Sequence, residues 1–344
     1  MTLEVEILQY LHFNPLSSRT ELTNGVLTTL SAATIKRILA DAVTKGNIEV
    51  VGRGPSIRYK LSSQAQLTMP LNLDTYFLKE VDERQIQTEF NFDLICDILP
   101  DVELFTPDEN DFLVSLQEIF KKNISCMTAV EYRKEMERLG VDLSWKSSQI
   151  EGNTYSLLET ERLLKEKQTA GGKTKEEAIM LLNHKDAFDF ILDNPDYLMS
   201  LSVRKIEDIH SLLIKELGVE RNIRHRRVGI IGTNYRPLDN EFQIREALTD
   251  TCNLVNDKKN IFEKALLILV LLSYIQAFTD GNKRTARITS NAILIANGYC
   301  PISFRSVDSV DYKKAMLLFY EQNNISAFKK IFIEQFEFAV KTYF

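Results

Sequence analysis

Apolar residues recur at helical spacing along most of the chain after residue 106, and this pattern predicts an all-helical region. The most apolar stretch, residues 265–275, is too short to span a bilayer, so it is expected to be a core helix. The predicted helices span residues 107–122, 128–139, 155–167, 175–193, 202–217, 241–256, 260–276, 283–297 and 309–343, the last interrupted near Asn323 and Asn324.

One segment of this region has a different pattern. VGIIGTNYRPL, residues 228–238, is short and β-branched around Gly232, which predicts a small β-hairpin set among the helices. Upstream, residues 63–105 show little periodicity and contain two isolated prolines. They are expected to connect an N-terminal domain, residues 1–62, to a helical domain, residues 106–344.

The first 62 residues combine helical spacing of apolar residues with the alternation that is typical of strands. Leu8 and Leu11 suggest one short helix, SSRTEL begins a second, and Ser31 can cap a third, which Gly46 ends. Apolar residues then alternate with polar ones on both sides of GRGPS, a hairpin pattern. Three helices followed by a hairpin resemble the winged helix-turn-helix modules of bacterial regulators.

In that resemblance, the helix that begins near Ser31 would enter the major groove of double-stranded DNA. Residues 1–62 contain seven Lys and Arg residues and five acidic residues, whereas the whole chain is acidic. The candidates for phosphate contacts are Lys36, Arg37, Arg53 and Arg58. The alternative is a winged helix that contacts proteins.

Composition limits the class of protein. The chain has 344 residues, of which 44% are hydrophobic and 26% charged, with a net charge of −6, as in ordinary soluble globular proteins. No secretory signal is expected at the N-terminus, and no membrane association. The four cysteines form no CxxC pair and are expected to be buried free thiols, which favours a cytoplasmic location.

Candidate chemistry lies in SYIQAFTDGNKRTAR, residues 273–287. Here the apolar helix runs into a short polar turn, and the next helix starts at once. The N–H groups at the start of a helix have no partners within the helix, and the helix dipole adds positive charge there, so this end suits phosphate. Gly281 would let the backbone approach a ligand closely.

Two arginines reinforce this anion site. Arg284 and Arg287 are three residues apart, so both can project from one face of the first turn and bind separate phosphates. Asp280 would be repelled by phosphate unless a cation joined them, which makes a Mg²⁺ role sensible. The alternative is a helix-capping aspartate with two surface arginines.

The wider sequence resembles the Fic family. QAFTDGNKRTAR matches the Fic motif at every defined position but the first, where the family has histidine. SSQIEGN, residues 147–153, resembles the family's inhibitory-helix motif, and residues 222–238 resemble the segment that leads into its target-binding flap. The resemblance covers residues 106–344 and implies a mainly α fold: an all-helical Fic domain with a small β-hairpin flap, its inhibitory helix at about 140–153 and its core at about 200–300.

The resemblance implies AMP transfer from ATP, with Mg²⁺, to a hydroxyl of a target protein. Asp280 would hold Mg²⁺, Arg284 would stabilise charge on the β-phosphate and Arg287 would meet the γ-phosphate. Glu151, spaced correctly from Ser147, would pair with Arg287 and inhibit the protein within one chain. The flap would hold the target protein as an added strand. The remaining nucleotide-binding candidates are Gly281, Asn282, Lys283, Thr285, Gly229, Ile230, Ile231, Gly232 and Tyr312.

Gln276 occupies the position of the family's histidine, which takes the proton from the attacking hydroxyl. An amide can orient that hydroxyl but has no useful basicity, and general-base assistance is worth roughly 10²–10⁴-fold in rate. His225 is a weak substitute, because the RHRR run is more simply a solvated patch. His12, His184 and His210 are expected to pack or to lie on the surface.

Two functions therefore stay open. The first is an autoinhibited protein adenylyltransferase with weakened catalysis. The second is a DNA-binding transcriptional regulator whose helical domain senses a nucleotide without transferring it. Fic proteins vary in oligomeric state, so a homo-oligomer is compatible with both functions.

Overall fold

The fold is mainly α-helical, as predicted. The computed structural model describes residues 3–26 and 31–344. In that part of the chain the helices are α1 (Leu3–Phe13), α2 (Arg19–Gly25), α3 (Ala32–Thr44), α4 (Ser63–Thr68), α5 (Leu73–Phe77), α6 (Pro107–Ser125), α7 (Ala129–Ile150), α8 (Leu157–Glu166), α9 (Lys175–Asp193), α10 (Val203–Leu213), α11 (Glu241–Asp257), α12 (Ile261–Ile275), α13 (Asn282–Ala296), α14 (Ser309–Gln322) and α15 (Ser326–Tyr343). The strands are β1 (Ile48–Val51) and β2 (Arg58–Leu61), which pair antiparallel.

The N-terminal module comprises α1, α2, α3, β1 and β2. Ser18 caps α2 in a capping box with Glu21, and the Ser31 hydroxyl accepts a hydrogen bond from the Thr34 N–H at the start of α3. Leucines from the three helices form a small core of their own, closed by the first residue of β1. The predicted helices and hairpin are therefore present, whereas a winged-helix function stays a prediction.

Residues 63–105 carry the short helices α4 and α5 and contact both parts of the molecule. Met69 packs into the small N-terminal core, and Leu67 packs into the large core of the helical region. The Leu67 carbonyl also accepts a hydrogen bond of 2.8 Å from the Ile325 N–H. The boundaries at residues 62 and 106 stay predictions.

Helix α12 lies at the centre of the large core. Its leucines, such as Leu266 and Leu269, are fully buried, which confirms the prediction of a core helix. Helices α11, α13, α14 and α15 pack around it, and α13 is also packed against α7, α9 and α10. Among the described residues, no helix is long and apolar enough to cross a membrane.

Helix boundaries lie within three residues of the predicted ones except at α7 and at α10, which ends at Leu213 instead of residue 217. The interruption near Asn323 is confirmed, because Asn323 is left-handed (φ 48°) and separates α14 from α15. The predicted helix 128–139, however, continues to Ile150 through Gly140. A Cβ on Gly140 would lie 2.7 Å from a ring carbon of Phe188. This glycine therefore permits close helix packing instead of ending the helix.

The predicted hairpin at 228–238 is wrong. Within the described residues, β1 and β2 form the only strand ladder, and residues 228–238 make a turn at Ile231 and Gly232 between two unpaired arms. One cause is that the second arm bonds elsewhere, since the Arg236 N–H donates to the Thr88 carbonyl at 2.8 Å. Residues 228–238 are called the flap below.

The burial predicted for the cysteines is half correct. All four are free thiols, and Cys252 and Cys300 are buried. Cys96 and Cys126 are exposed instead. Cys96 lies within a single π-helical turn, Leu94–Ile98, with its Sγ 3.7 Å from a carboxylate oxygen of Asp250, and Cys126 caps the C-terminus of α6.

Candidate functional site

The loop between α12 and α13 is held closed by its own polar groups. Gln276 ends α12 in the left-handed conformation (φ 52°, ψ 55°). Asn282 then binds Phe278 twice: its Oδ1 accepts from the Phe278 N–H at 2.8 Å, and its Nδ2 donates to the Phe278 carbonyl at 2.8 Å. The loop therefore has a fixed shape before any ligand arrives.

Gly281 caps α13 with φ 83°, a conformation that favours glycine. A Cβ there would lie 3.2 Å from Ile214 and 3.3 Å from His210. His210 in turn stacks on Phe278 with ring centroids 3.6 Å apart, and its Nε2 lies 3.0 Å from the Asp280 carbonyl. The sequence assigned no such role to His210, which supports the turn from below.

Burial of the arginines removes the alternative of two surface side chains. The Arg284 side chain is 1% exposed and that of Arg287 is 0% exposed. Arg284 donates through Nη2 to Asp280 at 2.8 Å, and its Nε is buried without a hydrogen-bond partner in residues 3–26 and 31–344. The Asp280 carboxylate is 60% exposed and also accepts from the Gly281 N–H at 2.6 Å.

Arg287 is bound from the other side by the C-terminal end of α7. Its Nε donates to the Ser147 hydroxyl at 2.8 Å and its Nη2 to Glu151 at 2.8 Å. Its Nη1 is buried and has no partner in the part of the chain that the structure describes. The guanidinium carbon lies 5.3 Å from the ring centre of Tyr312, a cation–π contact. Tyr312 is fully buried beneath the arginine, and its role in nucleotide binding stays a prediction.

Glu151 joins two cations of α13. One oxygen contacts Arg287 at 2.8 Å and the other contacts Lys283 at 3.3 Å. Burial would raise the pKa of the Glu151 carboxyl, but Arg287 and then Lys283 outweigh it and lower the pKa below its ordinary value. The sequence pattern correctly brought Ser147, Glu151 and Arg287 together.

The Gln276 side chain forms hydrogen bonds within the α12–α13 loop and the last turn of α12. Its Nε2 donates to the Ser273 carbonyl at 2.6 Å, and its Oε1 accepts from Asn282 at 3.2 Å. The Thr285 hydroxyl likewise donates to the Gly281 carbonyl at 2.9 Å, inside its own helix. Neither side chain supplies a base.

Arg224, which the sequence did not single out, joins this loop to the flap. It is fully buried, and its Nε donates to the Gln276 carbonyl at 2.6 Å. Its Nη1 donates to the Arg226 carbonyl at 2.7 Å and its Nη2 to the Leu238 carbonyl. One side chain therefore joins the α12–α13 loop to the segment just before the flap and to the last residue of the flap.

The predicted flap residues lie at the surface. Gly229, Ile231 and Gly232 are exposed, Ile230 is half-buried, and Ile231 is 97% exposed at the turn. His225 is exposed and its Nδ1 contacts Glu241 at 3.0 Å, so it is not held near Gln276 by any hydrogen bond. His184 is fully buried, and His12 is bonded to Gln322.

A metal ion at this site would need ligands from a bound substrate in addition to those from the protein. Among the described residues there is no group of three or more His, Cys, Asp or Glu that could hold an ion. Asp280 is a single exposed carboxylate beside the N-terminus of α13. That fits Mg²⁺, which commonly binds one or two carboxylates together with substrate phosphates and water.

Comparison with known proteins agrees with this geometry. The model of the Fic/DOC family matches residues 200–294. The protein adenylyltransferase Fic of Nematostella vectensis is 30% identical over 179 residues, which are 49% of this chain and 40% of that protein. The chain thus spans less than half the length of this curated relative.

Solved structures share the fold. Fic-1 from C. elegans superposes with a TM-score of 0.60 at 21% identity, covering 69% of this chain and 72% of that one. A Fic domain-containing signaling protein from Bacteroides thetaiotaomicron has a TM-score of 0.59 at 18% identity, covering 67% of this chain and 95% of that one. These likenesses establish the fold of the helical region.

Proposed function

Because residues 200–294 are a Fic/DOC family domain, we propose that this protein binds Mg²⁺–ATP at the N-terminus of α13 and transfers AMP slowly to a protein hydroxyl. One observation carries the proposal. Arg284 and Arg287 are buried side by side at a helix N-terminus, and each has an N–H group without a partner among the described residues. A buried cation with an unmet donor is costly, and an anion of several oxygens would relieve both.

The nucleotide would lie with its phosphates over Gly281 and Asn282. Arg284 would bind the β-phosphate, and Arg287 the γ-phosphate once Glu151 releases it. Mg²⁺ held by Asp280 would neutralise charge between the phosphates. Lys283 lies 3.3 Å from Glu151 and would add positive charge at the same end.

In the reaction, the target hydroxyl oxygen attacks the α-phosphorus, the bond to the β-phosphate oxygen breaks, and pyrophosphate leaves. The hydroxyl proton needs an acceptor. Gln276 is an amide already bonded to Ser273 and Asn282, so it cannot take that proton. The proton must pass to water or to a phosphate oxygen, which removes a factor of roughly 10²–10⁴ in rate.

Control is proposed to act through Glu151. Its carboxylate accepts a hydrogen bond of 2.8 Å from Nη2 of Arg287, the donor that a γ-phosphate would use. Arg287 also donates to Ser147, which lies in the last turn of α7, the helix that Glu151 caps. All three residues belong to one chain, so inhibition is intramolecular. Displacement of Glu151 would permit a productive ATP pose.

The target protein is proposed to bind along the flap. The first arm, residues 228–230, makes no backbone hydrogen bond in the described structure, so an extended target segment can pair with it. Ile231 at the turn offers an apolar contact.

A second candidate is a DNA-binding regulator that senses the nucleotide without transferring it. The specific observation is in the N-terminal module: Lys36, Arg37, Arg53 and Arg58 are all exposed, and among the described residues none forms an ion pair within 4 Å. Lys36 and Arg37 lie on α3, and Arg53 and Arg58 flank the β1–β2 turn, as expected for contacts to a duplex.

Calorimetric titration with Mg²⁺–ATP tests the step shared by both candidates. We expect binding that is lost when Arg284 is replaced by methionine, while the exposed Arg226→Met variant binds as the wild type does. Absence of binding heat in the wild type and in Glu151→Gly would reject both candidates. Mass spectrometry of AMP attached to protein then separates transfer from sensing.

A further inference from the structure

A cavity of about 420 Å³ lies where the N-terminal module meets α5, away from the α13 site. Its lining comes from the end of α1, including Phe13, and from residues 71–85, including Tyr76, Lys79 and Arg84. We call it the junction cavity. Its volume is in the range of ligand pockets of proteins.

The chemistry of the junction cavity favours an organic anion. Among the described residues, two cations, Lys79 and Arg84, line it, and no carboxylate does. Arg84 is 4% exposed, and its Nε is buried without a hydrogen-bond partner in that part of the chain. Phe13 and Tyr76 form a flat apolar wall, their rings stacked at 6.4 Å with an angle of 19° between planes.

Behind this wall lies one carboxylate, Glu321. It accepts a hydrogen bond of 2.6 Å from the Tyr76 hydroxyl and contacts Arg84 Nη2 at 3.3 Å. Glu321 is fully buried and does not line the cavity. Arg84 and Glu321 form an ion pair at that distance, so the charge of Lys79 leaves the cavity with an excess of positive charge.

Arg84 also reaches the flap. The same Nη2 that contacts Glu321 donates to the Gly232 carbonyl at 2.6 Å. The chain of contacts begins in the N-terminal module, because the His12 ring bonds Gln322 at 2.8 Å and Gln322 donates to the Tyr76 hydroxyl at 3.0 Å. A continuous polar path therefore runs from α1 to the turn of the flap.

We propose that the junction cavity binds a small aromatic carboxylate, and that binding loosens the flap. The carboxylate pairs with Arg84 and Lys79, and the ring packs against Phe13 and Tyr76. A carboxylate is a stronger partner for a guanidinium than a neutral carbonyl, so Arg84 turns toward the ligand and releases Gly232. The cavity thereby gives the N-terminal module control over the segment proposed to hold the target.

Fluorine NMR with 4-fluorobenzoate tests the site on the full chain. We expect saturable binding to the wild type, at least tenfold weaker binding to Lys79→Met and to Phe13→Ala, and unchanged binding to Lys330→Met, an exposed lysine elsewhere. The neutral 4-fluorobenzamide should bind at least tenfold more weakly than the acid. Equal affinities for acid and amide, or for wild type and Lys79→Met, would overturn the site.

Hydrogen–deuterium exchange tests the link to the flap. Amides of residues 228–238 should exchange several-fold faster with saturating 4-fluorobenzoate, and Arg84→Gln should exchange at that faster rate without ligand. Folding of Arg84→Gln is checked by circular dichroism, and the wild-type comparison stands if that variant fails to fold. Unchanged flap exchange on ligand binding would overturn the link. Neither measurement uses nucleotide, so both are independent of the proposed adenylyl transfer.

Discussion

Arg224 donates its Nε hydrogen to the main-chain carbonyl of Gln276 at 2.6 Å, and this buried cation has no carboxylate partner within 4 Å among the described residues. Burial lowers the pKa of Arg224, with Asp239 opposing that effect from further away. The guanidinium group is satisfied by the carbonyls of Gln276, of Arg226 just before the flap and of Leu238 at the end of the flap. Flap and loop are thus parts of one hydrogen-bonded unit.

Replacement of Arg224 by methionine should destabilise the protein strongly. The variant keeps the apolar volume but leaves buried carbonyls without donors, at about 1–3 kcal/mol for each group that finds no water. Urea unfolding should show a loss of about 2–4 kcal/mol. The control is Arg226→Met, an exposed neighbour; an equal loss there would show that the effect is not due to the buried carbonyls.

Removal of the Glu151 charge should free the nucleotide site. In Glu151→Gln the side chain keeps its size, but Arg287 and Lys283 lose their anion, so Mg²⁺–ATP should bind about tenfold more tightly, or about 1.4 kcal/mol. Calorimetry measures this change. The matched control is Glu161→Gln, an exposed glutamate paired with Lys165. Weaker ATP binding in Glu151→Gln would contradict the inhibitory role.

The arrangement of the loop between α12 and α13 could be predicted well from the local sequence. Asp280, Gly281 and Asn282 follow one another, and Arg284 and Arg287 are one helical turn apart, so their grouping at the start of α13 could be deduced from spacing alone. Glu151 was found only through the resemblance to a family, since 136 residues separate it from Arg287. Its burial against α13 could not be deduced from periodicity.

Long-range contacts explain what the sequence did not reveal. Arg224 acts on a carbonyl 52 residues away, and His210 on one 70 residues away, so neither role leaves a local signal. The continuation of α7 through Gly140 leaves no local signal either, because the packing partner of Gly140, Phe188, lies on another helix. The flap looked like a hairpin because β-branched residues favour extended chain, whereas its pairing partner is Thr88.

Restoring a base at position 276 should accelerate AMP transfer. In a Glu151→Gly background, Gln276→His supplies an imidazole that can accept the hydroxyl proton, and the rate should rise by roughly 10²–10⁴-fold. Mass spectrometry of AMP-modified protein over time gives the rate. Gln276→Asn is the control, because asparagine also tolerates the left-handed backbone but has no basicity. Equal rates for the two variants would show that position 276 does not supply the base.

Acid should destabilise the fold through His210. Burial lowers its pKa to about 4, although the Asp280 and Arg221 carbonyls oppose that effect. Between about pH 6.5 and pH 4 the unfolded chain binds a proton at this position that the folded chain does not, so stability is lost as pH falls. Full loss is about 3 kcal/mol, from about 2.5 pKa units.

Urea unfolding at pH 7 and pH 4 isolates this contribution. His210→Gln removes the titration, so the wild type should lose about 3 kcal/mol more than the variant over this interval. The exposed His225→Gln variant is the control and should follow the wild type. The same pH slope in His210→Gln and wild type would contradict the assignment.

The N-terminal module should bind duplex DNA with an affinity that falls steeply with salt. Lys36 and Arg37 are adjacent exposed residues of α3, and removal of each cation that neutralises a phosphate should reduce the slope of log affinity against log salt by about 0.9. Fluorescence anisotropy with a random duplex should therefore show that Lys36→Ala with Arg37→Ala weakens binding and lowers that slope by about 2. The control is the double variant Lys45→Ala with Lys60→Ala, which removes the same amount of positive charge. Lys45 and Lys60 already form ion pairs with Glu4 and Glu49, so their removal should change the slope less. Equal effects of the two double variants would mean that net charge, not the α3 surface, determines the binding, and no binding at low salt would leave the module with protein contacts alone.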